Sequence, residues 1–176
     1  EKTKNTNEYI DSLTKFLETK LQCTSFLLEN NEDLKNLAWW FDFPECFSNC
    51  NSFSVYADCF EKWINKRTEF CKILLANKDK TYNTPYWWEF PDFFKSFKTA
   101  EQYTDYFCRW LDLRIWWCKI LFDNTYVLQN NSVRVWNDAL KEEIKEWKDP
   151  EKHLAEMTAY LKENKDWIEY LQPHPY

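Results

Sequence analysis

A chain of 176 residues with no glycine, 11 Trp, 14 Phe, 10 Tyr and a formal net charge of −6 rules out several classes of protein before any motif is sought. Gly-rich phosphate loops, the dinucleotide fingerprint and the nucleophile elbow all need backbone that only glycine supplies, and tight β-hairpins are disfavoured for the same reason. The acidic balance argues against a basic nucleic-acid-binding stripe, and no run of 18 apolar residues is present to span a bilayer.

The length suits one domain with a sizeable core, and each aromatic side chain can bury roughly 150–250 Å². Residues 1–7 are polar and expected to fray. From Glu8 to Glu29 the positions Tyr9, Leu13, Phe16, Leu17 and Leu27 predict an amphipathic helix. Asn30-Asn31-Glu32-Asp33 breaks it and starts a short one. An aromatic clamp follows, Trp39-Trp40-Phe41-Asp42-Phe43-Pro44. The proline fixes its own φ and suits the first turn of a helix, so a short helix is expected after it. Ser52 then caps a long helix whose apolar face carries Tyr56, Phe60, Trp63, Phe70 and Leu74. Asn77 ends it, as the residue that tolerates the left-handed conformation when glycine is missing.

The chain then says this again. Shifted by 47 positions, Trp40–Asn77 lies on Trp87–Asn124 without a gap, and 14 of the 38 pairs are identical. The second clamp is Tyr86-Trp87-Trp88-Glu89-Phe90-Pro91, the second cap Thr99, the second face Tyr103, Phe107, Trp110, Trp117 and Leu121, and the second end Asn124. A period of this size marks stacked supersecondary units sharing a core. Residues 78–85 and 125–131 read as linkers, the second reaching the sequon Asn130-Asn131-Ser132. Val135, Trp136, Leu140, Ile144 and Trp147 predict a further helix. Asp149 as cap and Pro150 at the first helical position open the last, in which Tyr160 and Trp167-Ile168 repeat the spacing of Tyr56 and Trp63-Ile64. The tail from Gln172 is not helical. The reading is an all-α single domain, residues 1–176, of tandem helical repeats of about 47 residues stacked on an aromatic-rich core. Its units are 39–77 and 86–124, flanked by partial units 8–30 and 132–171; such arrays need capping ends.

Seven cysteines fit an oxidising compartment better than the cytosol, and so a secreted, disulfide-stabilised protein. The rival reading is a zinc site at Cys46-x-x-x-Cys50, for which His153 and His174 stand far off in the chain; no metal is assigned. The start at Glu1, without Met or leader, reads as a mature or trimmed product. Cys46 aligns with Phe93 and Cys59 with Tyr106, a paired loss that points to a Cys46–Cys59 bridge. Cys59 and Cys71 are excluded as partners, since 12 residues of helix separate them by roughly 18 Å against a limit near 7 Å. Cys108 points away from its own unit's stripe toward another segment, with Cys50 as the expected partner. Cys23, Cys71 and Cys118 share one position at a helix end and remain alternatives.

Arg67 and Arg114 sit within the apolar stripes. Either they form an anion pocket, or each guanidinium stacks on Trp63 or Trp110 or joins a buried ion pair; the structural reading is preferred. The repeated Trp residues are read as core rather than as a sugar platform. No nucleophile can be paired with a base, so no catalytic residue and no cofactor are assigned, and the chain is read as not an enzyme. The repeat core is then Trp40, Tyr56, Phe60, Trp63, Arg67 and Cys71 with Trp87, Tyr103, Phe107, Trp110, Arg114 and Cys118.

The order Cys46 or Cys50, Tyr56, Cys71, followed by Tyr103 and Cys118, in an aromatic-rich helical chain resembles the bicycle proteins of gall-forming aphids. Those are named for two Cys–Tyr–Cys motifs; here Phe93 and Phe97 stand where the second leading cysteine would be. The repeated Tyr and Trp also look similar to the helical Trp–Tyr units of oomycete effectors. The first resemblance implies an effector secreted from salivary glands into plant tissue. The expected function is therefore a secreted, non-enzymatic effector that binds a host macromolecule, a host protein rather than nucleic acid. The alternative is a secreted carrier of a small hydrophobic ligand held between helical units.

Overall fold

Three of the helices begin where the sequence placed caps, after Ser52, Thr99 and Asp149. In the computed structural model, which describes residues 2–34, 43–81, 92–124 and 149–170, the Ser52 hydroxyl accepts from the Val55 N–H at 3.2 Å and the Thr99 hydroxyl from the Gln102 N–H at 3.3 Å. Each satisfies an N–H that the first turn of a helix leaves without an intrahelical acceptor. The helices that follow are α3 (Phe53–Ala76) and α5 (Ala100–Asp123), each of 24 residues. Ahead of them α1 spans Lys2–Glu29 and α2 spans Asn31–Leu34; α4 covers Lys78–Thr81, and α6 runs Pro150–Tyr170. Asp149 caps α6, its Oδ1 accepting from the N–H groups of Glu151 at 3.0 Å and Lys152 at 3.2 Å. Short 3-10 turns occupy Glu45–Asn49, directly after Pro44, and Asp92–Ser96. No strand occurs among the described residues. Ser52→Ala or Thr99→Ala should each lower stability by about 1 kcal/mol, and the glycine variants by only a few tenths, read as shifts of the urea midpoint.

Three local expectations need correction. Residues 2–7 are helical, α1 starting at Lys2. The segment after Asn77 is not all linker, since Lys78–Thr81 forms α4. Asn77 and Asn124 do not end their helices in the left-handed conformation, because no described residue has positive φ. Asn124 uses its side chain instead, its Nδ2 donating to the Ile120 carbonyl at 2.8 Å; Asn30 does the same to Phe26 at 2.8 Å at the end of α1. Each amide is a second donor to a carbonyl that already accepts that residue's own backbone N–H, at 3.1 Å for Asn124 and 3.2 Å for Asn30, so the last turn is closed in right-handed backbone. Most of the two clamps with Trp40 and Trp87, the sequon at Asn130, the helix expected over 135–147 and the tail with His174 lie outside the described residues.

The chain divides into two compact units, one of residues 1–75 with 95–111 and the other of 76–94 with 112–176. In the first, α1 and α3 run parallel, because their contacts climb together along both helices. Tyr9 meets Phe53 at 5.3 Å between ring centroids, Phe16 meets Tyr56 at 5.7 Å and Phe60 at 4.9 Å, and Phe26 and Leu27 pack on Cys71. Lys15 bonds Glu61 at 2.6 Å on the outer edge; an exposed pair of this kind sets register more than it stabilises. Phe47, carried by the first 3-10 turn, closes this core. Its ring lies 5.9 Å from Trp63, 6.0 Å from Tyr56 and 6.3 Å from Tyr103. In the second unit Trp117 and Leu121 of α5 pack with Met157 and Leu161 of α6, each pair four residues apart on one helical face. The Lys80 ammonium closes α4 onto α5 by donating to the Phe122 carbonyl at 2.8 Å.

Candidate functional site

The residues assigned to the repeat core are, where described, in the core. Phe60, Trp63, Arg67 and Cys71 on α3 are buried, as are Tyr103, Phe107, Trp110, Arg114 and Cys118 on α5; Tyr56 is half-buried. Arg67 is 1% exposed, its guanidinium 4.7 Å from the Trp63 ring centroid and 6.0 Å from that of Phe107. It is a stacked cation inside the aromatic packing rather than an open anion pocket. His153, in the second unit, is fully buried, and desolvation together with the Arg114 charge pushes its pKa down to about 4. It is neutral at physiological pH and out of reach of a substrate in solvent.

None of the seven cysteines is in a disulfide, so neither the Cys46–Cys59 nor the Cys50–Cys108 bridge is formed. Cys46 and Cys59 are both buried and near each other, with Cys50 beside them, so that the thiolate charge of each would repel the others. Glu101, at the start of α5, adds to that repulsion at all three. Burial raises the Cys46 thiol to about 11, which keeps it protonated and poor as a nucleophile or metal ligand. Cys108 does turn to another element, but its thiol donates to the Lys62 carbonyl of α3 at 3.9 Å. Cys118 is pushed by burial to about 12. No group of three His, Cys, Asp or Glu suited to a metal occurs among the described residues.

What sequence reasoning missed lies on the far side of α1. Ile10, Leu17, Leu21 and Leu28 are exposed, Leu21 by 69% and Leu28 by 74%. Their spacings of seven, four and seven residues keep all four side chains within about 40° of arc on an α-helix. Thr19, the buried residue of α1, points about 180° from that line. The helical period groups Leu17 with the inward Tyr9, Leu13 and Phe16, but it belongs to this outward face. Asp11 and Glu18 run along one border of the stripe. On the side facing α3 there is a cavity of about 280 Å³, between Gln22, Cys23 and Phe26 of α1 and Thr68, Glu69 and Lys72 of α3. It has one aromatic wall and two charged ones. No described helix is long and apolar enough to cross a membrane.

Comparison with known proteins finds no family model that matches, no similar curated protein and no matching solved structure.

Proposed function

We propose that this chain is a secreted, non-enzymatic effector-type protein that acts by binding a host protein through the outer face of α1. The observation that carries the reading is the exposed stripe Ile10, Leu17, Leu21 and Leu28 on a helix whose opposite face is already used for packing. A helix with two apolar faces and one covered leaves the other for a partner. The acidic border at Asp11 and Glu18, on a chain of net charge −6, suits a partner with an apolar groove rimmed by basic side chains. An antiparallel two-fold pairing of α1 with a second copy would set Glu18 against its own counterpart, which disfavours that homodimer. Following the resemblance to the bicycle effectors, the host is a plant. The carrier alternative would want a large aromatic-lined cavity, whereas the cavity beside Phe26 is edged by Glu69 and Lys72.

The finer architecture belongs to the same proposal. We take α3 and α5 as equivalent parts of two tandem units, supported by their equal lengths of 24 residues and by starts at Phe53 and Ala100, one sequence period apart. The 3-10 turns at Glu45 and Asp92 keep the same offset.

The test is capture of host protein from plant tissue by wild-type chain and by Leu17→Glu/Leu21→Glu. Both positions are exposed, so the variant should keep its circular dichroism while losing at least tenfold of the captured protein. Equal capture by the variant would remove α1 from the interaction. A wild-type dimer abolished by the variant, with no host protein retained, would overturn the reading in favour of self-association.

A further inference from the structure

We infer that Cys23 and Cys71 form a disulfide that ties α1 to α3 when the folded protein meets an oxidising thiol–disulfide buffer. The sequence leaves these two cysteines unassigned; the packing of the first unit brings them together. Cys23 is on the α3-facing side of α1, and Phe26 and Leu27, three and four residues later on the same face, pack directly on Cys71. On the α3 side, Thr68 and Glu69 precede Cys71 and Lys72 follows it, and all three border the cavity that Cys23 also lines. Two parallel helices in direct contact, with axes about 8–10 Å apart, bring inward-facing Cα atoms to the separations near 6 Å that disulfides use. Arg67 offsets negative charge at both thiols.

The burial of the two groups sets the order of events. Cys71 is wholly buried, and its thiol is pushed to about 12, whereas Cys23 is half-buried and opens on the cavity. Cys23 therefore reacts first. It gives up its proton to water, and its thiolate attacks a low-molecular-weight disulfide such as glutathione disulfide. That S–S bond breaks, one glutathione leaves as thiolate and takes up a proton, and Cys23 carries the other as a mixed disulfide. Cys71 then loses its proton and attacks the Cys23 sulfur, expelling the second glutathione. Two protein thiols are oxidised and one glutathione disulfide is reduced to two thiols. The bond joins positions 48 apart in the sequence, a loop long enough for a sizeable restriction of the unfolded chain.

This inference does not depend on secretion or on a host partner, because it is tested on the purified chain. The full-length protein is equilibrated in a glutathione redox buffer, remaining thiols are alkylated, and the chain is digested without reduction. The expected result is a peptide pair joining Cys23 to Cys71. In Cys71→Ala, Cys23 should instead hold glutathione. Reduction should lower the wild-type Tm by roughly 10 °C, and Cys23→Ser, at a half-buried position, should remove most of that difference while still folding. Cys23 joined to any other cysteine would overturn the assignment. So would alkylation of both Cys23 and Cys71 in a buffer oxidising enough to bridge Cys46 or Cys50 to Cys59.

Discussion

Phe47→Ala should destabilise the protein by about 3–5 kcal/mol, the range for truncating a fully buried aromatic. Phe47 is 1% exposed and belongs to no long helix, yet its ring touches four others, those of Phe43 at 5.2 Å, Tyr56, Trp63 and Tyr103. Its loss leaves a cavity walled by rigid rings, which cannot collapse as flexible side chains do, and it releases the 3-10 turn that holds the start of α3. Phe47→Leu retains much of the volume and should cost less, on the order of 1–2 kcal/mol. Leu28→Ala, at the exposed end of the α1 stripe, should stay within about 0.5 kcal/mol of wild type. Urea midpoints of the three variants make the comparison. A Phe47→Ala midpoint no lower than that of Leu28→Ala would show that the 3-10 turn is ornamental to this core.

The parts of the fold that rest on local chemistry were legible in the sequence. Ser52, Thr99 and Asp149 cap because a short side-chain oxygen and the N–H two or three residues on are neighbours whatever the rest of the chain does. The 3-10 turn after Pro44 follows from the fixed φ of proline. The stripes on α3 and α5 were equally plain, since bulky aromatics at three- and four-residue steps leave no other face to bury. The helices do stop at Asn30, Asn77 and Asn124, but not in the left-handed conformation expected of Asn77 and Asn124. Asn30 and Asn124 can finish a helix with left-handed backbone or with an amide folded back on the last turn, and composition does not choose between them.

The candidate surface was harder to read, and α1 shows why. Periodicity finds apolar lines on a helix but cannot say which line is covered. On α1 there are two, one through Phe16, Cys23 and Phe26 and one through Ile10, Leu17, Leu21 and Leu28, and Leu17 was given to the wrong one. The heptad-like spacing of the second line was the available signal. The cysteines divide in the same way. Helical angle alone sent Cys108 away from its own stripe, and it does face α3, but only the packing shows a backbone carbonyl there. Likewise Cys23 and Cys71 share a position in the repeat pattern, which says nothing of distance; the parallel packing of α1 on α3 supplies it.

The second large effect expected is on stability below neutral pH, through His153. Its folded pKa is lowered from 6.5 to about 4 by burial first and by the Arg114 charge second. Below pH 6.5 the unfolded chain takes up a proton at this side chain that the folded chain refuses, so stability falls as pH falls. The loss runs from about pH 6.5 down to about pH 4, where the folded form protonates too, and amounts to at most about 3–4 kcal/mol at roughly 1.4 kcal/mol per pKa unit. His153→Gln keeps a polar side chain of similar size without the titration. It should be less stable than wild type at pH 7.5, where the imidazole is neutral and fits its buried site, and should lose less than wild type on going to pH 4.5. Urea denaturation at the two pH values measures both differences, and parallel losses in wild type and variant would show that His153 does not carry the acid sensitivity of α6.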